Sequence, residues 1–509
     1  WKNKKTRCEV ESPVSLILSA FSDINDVTQY ISPELKGSGT IFFIDLSNNN
    51  QRLGGSALHQ SYEIIDNDTP KIDDINLLIK FFNLSQELIK KNLITAYHDK
   101  SDGGAFTTLV EMAFAGNCSL EINKIHNLIN KEEKLIKFFF NEELGVFVEV
   151  PNTKKQKFMN VINKYSFNSN TIEVGRSHIE NKPKIEIKAY KKITYYLYEL
   201  RKQWSSLSYK IQSLRDNKVT AREEYINKIN IHKNRRLFTI KPKATFPINS
   251  KKININKKSK PKIAILREQG VNGQREMAHA FLKVGFDCDD IHVNDVKNKN
   301  VNILKYNGLV SCGGFSYGDV LGAGKGWANK ILYNPFLAEV MRKFFFDKTK
   351  FALGVCNGCQ MLSHLSPMIP GTDNWPIFVR NKSNQFEARL VYVKINKTKS
   401  IFFNGMDGSI LPVIVSHGEG RVYFENKKIN KNSVISYVDY ENKKTNKYPY
   451  NPNGSIDGST GFTNSDGRIT ILMPHPERVF SINQFSWRPD EWRVSPWQKF
   501  FKNAIDWLQ

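Results

Sequence analysis

The run Phe351–Gln360 constrains the fold more than any other part of the sequence. An apolar stretch, Phe351-Ala352-Leu353-Gly354-Val355, feeds the turn Gly354-Val355-Cys356-Asn357-Gly358, and a helix-like stretch, Gln360–Leu365, follows. Strand, Gly-x-Cys-x-Gly turn and helix, in that order, are the layout of a nucleophile elbow with sulfur in place of the usual serine oxygen. Glycines on both sides of Cys356 permit a tight turn that a Cβ would obstruct. The turn sets the thiol at the N-terminus of the next helix. The dipole and free N–H groups there favour the thiolate, which is the nucleophilic form.

Blander readings compete. A cysteine after an apolar strand is usually a small core residue. Cys356-x-x-Cys359 also has the spacing of a redox pair or half a zinc site. No second CxxC or HxxxH lies at zinc spacing, and the small, early βαβ context of a thioredoxin-like pair is missing. A distant segment favours the nucleophile. Arg468–Met473 reads as a buried strand, and Pro474-His475-Pro476-Glu477-Arg478 follows it. His475 and Glu477 are two apart, so in an extended segment they face the same side. A nucleophilic Cys needs a base, and the base needs a group to orient it. Cys356, His475 and Glu477 supply these in the order nucleophile, base, orienter.

The rest of the second half repeats the same rhythm. Lys262–Leu266, Leu309–Cys312 and Phe351–Val355 are strand-like, and Gly273–Gly285 and Pro335–Phe346 have helical patterning. Alternation of this kind predicts a doubly wound parallel sheet with its site at the carboxyl ends of the strands. In the first half, Val14–Phe21, Thr40–Leu46, Leu93–His98 and Leu144–Val150 are strand-like, and Asp73–Lys91 and Gly104–Ala115 are helical. These predict an α+β or α/β layer structure. The expected division is 1–188, a connector over 189–260, and 261–509. Within the connector Leu197–Asp216 looks helical, and the remainder reads as ordered but irregular.

A chain of 509 residues that is 40% hydrophobic and 24% charged fits a globular protein of two or three domains. It holds no apolar run of about 18 residues, so no membrane span is expected, and its N-terminus lacks a signal-peptide pattern. The formal net charge of +24 points first to nucleic acid. Lysine is spread through the chain with abundant Asn and Ile, however. The densest run, Asn249–Lys258, has no interleaved aromatics and reads as a solvated linker rather than a nucleic-acid surface. Six cysteines, one in a reactive setting, suit the reducing cytosol.

Further segments carry candidate chemistry. Glycine N–H groups in Gly313–Asp319, Gly314 among them, could stabilise an oxyanion together with the N–H of Asn357; the alternative is an ordinary βα turn. Gln360, one turn beyond Cys356, could hold a substrate amide or amino-acid head. Ser416–Arg421 either lines the site or is a structural turn. In the first half, His98-Asp99-Lys100-Ser101-Asp102-Gly103-Gly104 ends a strand and opens a helix, a setting suited to metal and phosphate. Arg52–Ser56 is a second glycine turn with phosphate-friendly groups. Each is also an ordinary cap or turn signal.

Taken together, these motifs resemble a known family. Gly354–Gln360 with Pro474–Arg478 is similar to class I (triad) glutamine amidotransferases. Leu266–Asn272, Gly313–Asp319, Ser416–Arg421 and Asn451–Ser455 narrow the resemblance to the C-terminal half of large-type phosphoribosylformylglycinamidine synthase. Arg52–Leu58, Tyr97–Gly104 and Trp204–Asn217 resemble its second synthetase half and connector. The resemblance implies an AIR-synthase-like C-terminal domain followed by a class I glutaminase domain, in a cytoplasmic ligase of purine synthesis. The implied reaction converts glutamine, ATP and formylglycinamide ribonucleotide to the amidine, glutamate, ADP and phosphate, with ammonia passing internally between sites. Cys356, His475 and Glu477 would be the triad, with Gln360 close to the glutamine. Asp99 would be a Mg2+ ligand and Ser101 a nucleotide contact. The family's N-terminal region has no counterpart here, and the chain starts at Trp1, inside what resembles a subdomain. A partner or upstream segment supplying that half is expected. Two other functions fit parts of the sequence. A stand-alone glutaminase would not need the synthetase-like segment, and a non-catalytic binding subunit would not need the triad.

Overall fold

The computed structural model describes residues 2–3, 8–9, 17–24, 26, 29–235, 241–248, 260–424 and 433–508. The chain divides into two compact units. One comprises Trp1–Glu180 with Lys184–Leu197, and the other Asn181–Pro183 with Tyr198–Gln509.

The first unit is built on a seven-stranded sheet. Its order is Ala96–Asp99, Gly145–Pro151, Gly39–Asp45, Thr171–His178, Ser119–Ile122, Lys184–Lys188, Lys192–Tyr196. All neighbours are antiparallel except Ser119–Ile122 beside Lys184–Lys188. Gly39–Asp45 is buried throughout because it pairs on both edges. The helix Ile75–Lys90 starts where the Asp74 carboxylate accepts the N–H groups of Asn76 and Leu77, at 2.8 and 3.2 Å. It packs Phe81, Leu84 and Leu88 against a core containing Phe42, Ile44, Val148 and Phe158. These apolar residues recur at helical spacing, which is why the element was legible in the sequence.

The strand expected over Val14–Phe21 does not form among its described residues. Residues 17–21 carry no regular structure, and Ile17, Leu18 and Phe21 stay exposed. β-branched, apolar composition fits a strand but provides no neighbour to pair with. The connector is more regular than expected. It contains the strand Lys192–Tyr196 and the helices Leu197–Trp204, Ser206–Arg215 and Lys218–Lys233. Asn217 caps the last of these by accepting from Val219 and Thr220 N–H, a start signal already present in the sequence. Asn249–Lys258, read as a linker, lies outside the described residues.

The second unit holds a nine-stranded sheet. Its first five strands, Asp287–His292, Lys262–Arg267, Gly308–Ser311, Phe351–Val355 and Ile469–Leu472, are all parallel. This is the doubly wound arrangement. Ile263–Leu266 and Phe351–Val355 are buried residue after residue, as strands covered on both faces must be. Beyond Ile469–Leu472 the sheet continues antiparallel through Ser459–Thr463, Ser433–Tyr437, Glu387–Ile395 and Ile410–His417. No helix among the described residues is long and apolar enough to cross a membrane.

Candidate active site

Three neighbouring parallel strands end together. Ser311 pairs with Gly354, and Val355 with Leu472. The segments leaving these strands are Cys312–Asp319, the Cys356 turn and Met473–Glu477. Register alone therefore brings the glycine loop, the thiol and the histidine to one edge of the sheet.

Cys356 sits at φ 53°, ψ −110°, at the N-cap of the helix Asn357–His364. A residue with a Cβ rarely adopts this backbone, so the surroundings must impose it. The two flanking glycines show how. A Cβ on Gly358 would lie 2.1 Å from Ser311 O, and one on Gly354 would lie 2.7 Å from Gly358 O. The helix thus approaches the neighbouring strand more closely than any side chain permits. Gly358→Ala is expected to cost about 3 kcal/mol, because a fixed backbone carbonyl cannot yield. A lowered urea midpoint would be the measured result. An unchanged midpoint would contradict this account of the elbow.

His475 and Glu477 are both buried, and His475 Nδ1 bonds Glu477 Oε1 at 2.5 Å. They meet although the chain after His475 turns into a 3₁₀ helix, Pro476–Val479, rather than staying extended. His475 N–H is anchored on Ile414 O at 2.8 Å. Burial pulls the imidazole pKa down. The Glu477 carboxylate and then Cys356 outweigh it, and the net shift is upward. His475 Nε2 holds no hydrogen bond of its own. The Cys356 Sγ lies 3.6 Å from Ser416 O instead. Such catalytic contacts commonly tighten only with substrate bound. Gly313 separates the pair from the loop: a Cβ there would stand 2.7 Å from His475 Cε1 and 3.4 Å from Cys356 Cβ.

The backbone N–H groups of Gly314 and Asn357 donate no hydrogen bond among the described residues. The Asn357 side chain bridges to the loop, accepting from Ser316 N–H at 3.2 Å and donating to Asp319 Oδ1 at 3.1 Å. Gln360 is buried and donates to Glu419 O at 2.6 Å. The segment Ser416–Arg421, left open between site and turn, lies against the thiol through Ser416. His417, missed as a separate feature, is buried with both ring nitrogens unpartnered, and its pKa is pushed down to about 3, first by burial and then by His475. It is therefore neutral at pH 7. Burial also raises the pKa of Cys359 well above the ordinary thiol range. No group of three or more His, Cys, Asp or Glu side chains able to hold a metal ion occurs among the described residues.

In the first unit the two glycine turns meet at one carboxylate. Glu142 Oε1 accepts from Ala57 N–H and from Gly103 N–H, each at 2.8 Å. These N–H groups open the helices Ala57–Ser61 and Gly104–Gly116. Arg52 is not free for phosphate. It is buried, and its guanidinium is held by Glu143 and Asp73. Asp99 is 69% exposed, 3.4 Å from His98 Nδ1, while His98 Nε2 bonds Glu111 at 2.9 Å. Ser101 is exposed. Asp99 and Ser101 thus lie just ahead of the helix Gly104–Gly116, Asp99 beside His98 and Ser101 exposed. Mg2+ held chiefly by nucleotide phosphates and water needs no more from the protein.

Residues 260–508 match the family model of the CobB/CobQ-like glutamine amidotransferase domain, and residues 44–187 that of the AIR synthase related protein, C-terminal domain. Among solved structures, the chain is similar to PurLQS from Thermotoga maritima, with 25% identity over 49% of this chain and 100% of that one and a TM-score of 0.38. It is similar to a glutamine amidotransferase from the same organism, with 18% identity, 43% and 77% coverage, and a TM-score of 0.27. A third likeness is to T. maritima PurL complexed with ATP, with 10% identity, 34% of this chain, 27% of that one, and a TM-score of 0.26.

Proposed function

We infer that this chain, an AIR-synthase-related C-terminal domain followed by a CobB/CobQ-like glutamine amidotransferase domain, is the glutamine-hydrolysing part of a phosphoribosylformylglycinamidine synthase. It is an enzyme of purine biosynthesis, a ligase that forms a C–N bond with nitrogen drawn from glutamine. The observation that carries this is the elbow. Cys356 is held at a helix N-terminus with His475 and Glu477 at the end of the adjacent strand.

The chemistry follows from those positions. The Cys356 thiol passes its proton to His475, the sulfur attacks the glutamine side-chain carbonyl carbon, and the carbonyl oxygen becomes an oxyanion. The N–H groups of Gly314 and Asn357 stabilise that charge. His475, oriented by Glu477, gives a proton to the departing nitrogen, which leaves as ammonia. Water then attacks the γ-glutamyl thioester, His475 takes its proton, and glutamate leaves with the thiol restored. Gln360 borders the glutamine.

The acceptor is formylglycinamide ribonucleotide, and ATP activates its amide oxygen for displacement by ammonia. Asp99 and Ser101 would hold Mg2+ and a nucleotide phosphate. The chain works with a synthetase part that carries the ribonucleotide site. In support, the helix Ile75–Lys90 exposes Ile75, Ile79 and Phe82 along one face, a row of the kind that an obligate interface covers. The setting is the cytoplasm, in keeping with the free thiols of Cys118, Cys288, Cys312, Cys356 and Cys359.

Reconstitution tests the reading. The purified chain alone is expected to show weak glutaminase activity, to self-associate, and to make no amidine from glutamine, ATP and formylglycinamide ribonucleotide. Adding a synthetase part should restore synthesis. Calorimetric titration of the assembly with magnesium–ADP should show binding that Asp99→Asn weakens about tenfold or more. A monomer that made the amidine unaided, or equal nucleotide binding by Asp99→Asn, would contradict the respective parts of the proposal.

A further inference from the structure

The loop Gly313–Asp319 holds three successive residues in the left-handed region: Tyr317 at φ 53°, Gly318 at 62° and Asp319 at 54°. Two of the three are not glycine, so their neighbours must hold them there. One set of restraints comes from the nucleophile helix, through Asn357 to Ser316 N–H and Asp319. The other comes from the segment after the strand Lys262–Arg267. Tyr317 N–H donates to Gln269 O at 3.0 Å, and Phe315 N–H to Gly270 O at 2.9 Å.

That segment begins with a buried charge. Glu268 is 2% exposed. Its carboxylate receives Lys330 Nζ at 2.7 Å and His292 Nε2 at 3.1 Å. His292 Nδ1 accepts from Asn294 N–H at 3.0 Å, so Nε2 carries the proton and His292 is a neutral donor. The neutralising cation is therefore Lys330, on the helix Lys325–Leu332. Lys330 also stands over the Tyr317 ring, 6.0 Å from its centre. Removing Lys330 would leave Glu268 buried and uncompensated directly beneath the segment on which the loop hangs.

We propose that Lys330 is a positioning residue for the glutaminase reaction: through Glu268 and Tyr317 it fixes the loop Gly313–Asp319, and with it the N–H of Gly314, beside Cys356. This rests on the glutaminase reading, and it adds a residue remote from the thiol on which the oxyanion geometry depends. The loop conformation matters when negative charge develops on the substrate oxygen. It matters little for holding ground-state glutamine or for the thiol itself.

The full chain, assembled with its synthetase part, is tested as wild type, Lys330→Met, Lys330→Arg and Tyr317→Leu. Three quantities are measured: glutamine kcat and KM, inhibition by L-glutamate γ-semialdehyde, and inactivation by iodoacetamide. In the semialdehyde adduct the Cys356 sulfur adds to the aldehyde carbon and the carbonyl oxygen becomes the oxyanion, so the inhibitor reports the loop. Iodoacetamide loses iodide to the attacking sulfur and forms no oxyanion. Lys330→Met is expected to lower kcat by about 10- to 100-fold, with KM changed less than about threefold and semialdehyde affinity weakened by the same factor as kcat. The iodoacetamide rate should be unchanged. Lys330→Arg should recover most of the loss, and Tyr317→Leu, which removes the ring that Lys330 faces, should show the same pattern more weakly. Wild-type kcat and semialdehyde affinity in Lys330→Met, or a loss confined to KM, would overturn the proposal. If Lys330→Met does not fold, Tyr317→Leu with wild-type kcat and semialdehyde affinity would overturn it equally. A wild type that neither hydrolyses glutamine nor binds the semialdehyde would instead overturn the glutaminase reading.

Discussion

Cys356→Ala is expected to lower glutamine-dependent turnover by about 10⁴-fold or more, while ammonia-dependent synthesis in the complete assembly survives. A nucleophile has no substitute, because every later step runs through the bond it makes. The elbow can accept the change: alanine keeps the Cβ, and the backbone at φ 53° is imposed by Gly354, Gly358 and the adjoining strand rather than by sulfur. Cys359→Ala is the matched control. Cys359 is fully buried and its thiol is held protonated by that burial, so turnover should remain within a few-fold of wild type. Glutamate release and ammonia-driven amidine formation, measured on the same preparations, separate the two activities. Retained glutaminase in Cys356→Ala, or its loss in Cys359→Ala alone, would move the nucleophile elsewhere.

His475→Ala should follow closely, at about 10⁵-fold, with Glu477→Gln about a hundredfold less severe. Removing the imidazole removes both the acceptor of the thiol proton and the donor to the leaving nitrogen. Glutamine at 477 keeps the shape and a hydrogen bond to Nδ1 but loses the carboxylate charge. That charge is what favours imidazolium in a site where burial opposes it. The pH profile should register this. The apparent pKa governing kcat/KM should fall in Glu477→Gln, since the principal upward influence on His475 is gone. Near-wild-type rates for His475→Ala would reject its role as base.

What the sequence disclosed and what it withheld follow from range. The elbow was legible because strand, turn and helix are contiguous, and the glycines at 354 and 358 state a close approach that the structure meets at Ser311 O. The His475–Glu477 pair was legible because the two are neighbours in the chain. The parallel core could be read from alternating apolar runs, whereas the antiparallel continuation of the sheet could not, because strand direction depends on pairing and not on composition. Contacts between remote positions were invisible. Glu142 closes two helix starts 85 and 39 residues away. Arg52 looked available for phosphate until Glu143, 91 residues on, was seen to hold it. Glu268, His292 and Lys330 come from three elements, and no spacing rule links them. Residues 17–21, the described part of the strand expected over Val14–Phe21, carry no regular structure for the opposite reason: a local preference for a strand finds no partner among the residues described.

The central position of Ile469–Leu472 has a consequence for how the enzyme comes into being. This strand lies between Phe351–Val355 and Ser459–Thr463, so it enters an interior slot after both of its neighbours have been made. On the ribosome, Cys356 emerges first, and residues 357–474 must follow before His475 exists at all. Docking of the strand then delivers the base to the thiol and completes the parallel core in one event. On the proposed reading, a chain in which this strand has not docked carries the thiol without its base. On that reading, glutaminase activity therefore requires this long-range closure, and folding itself switches it on.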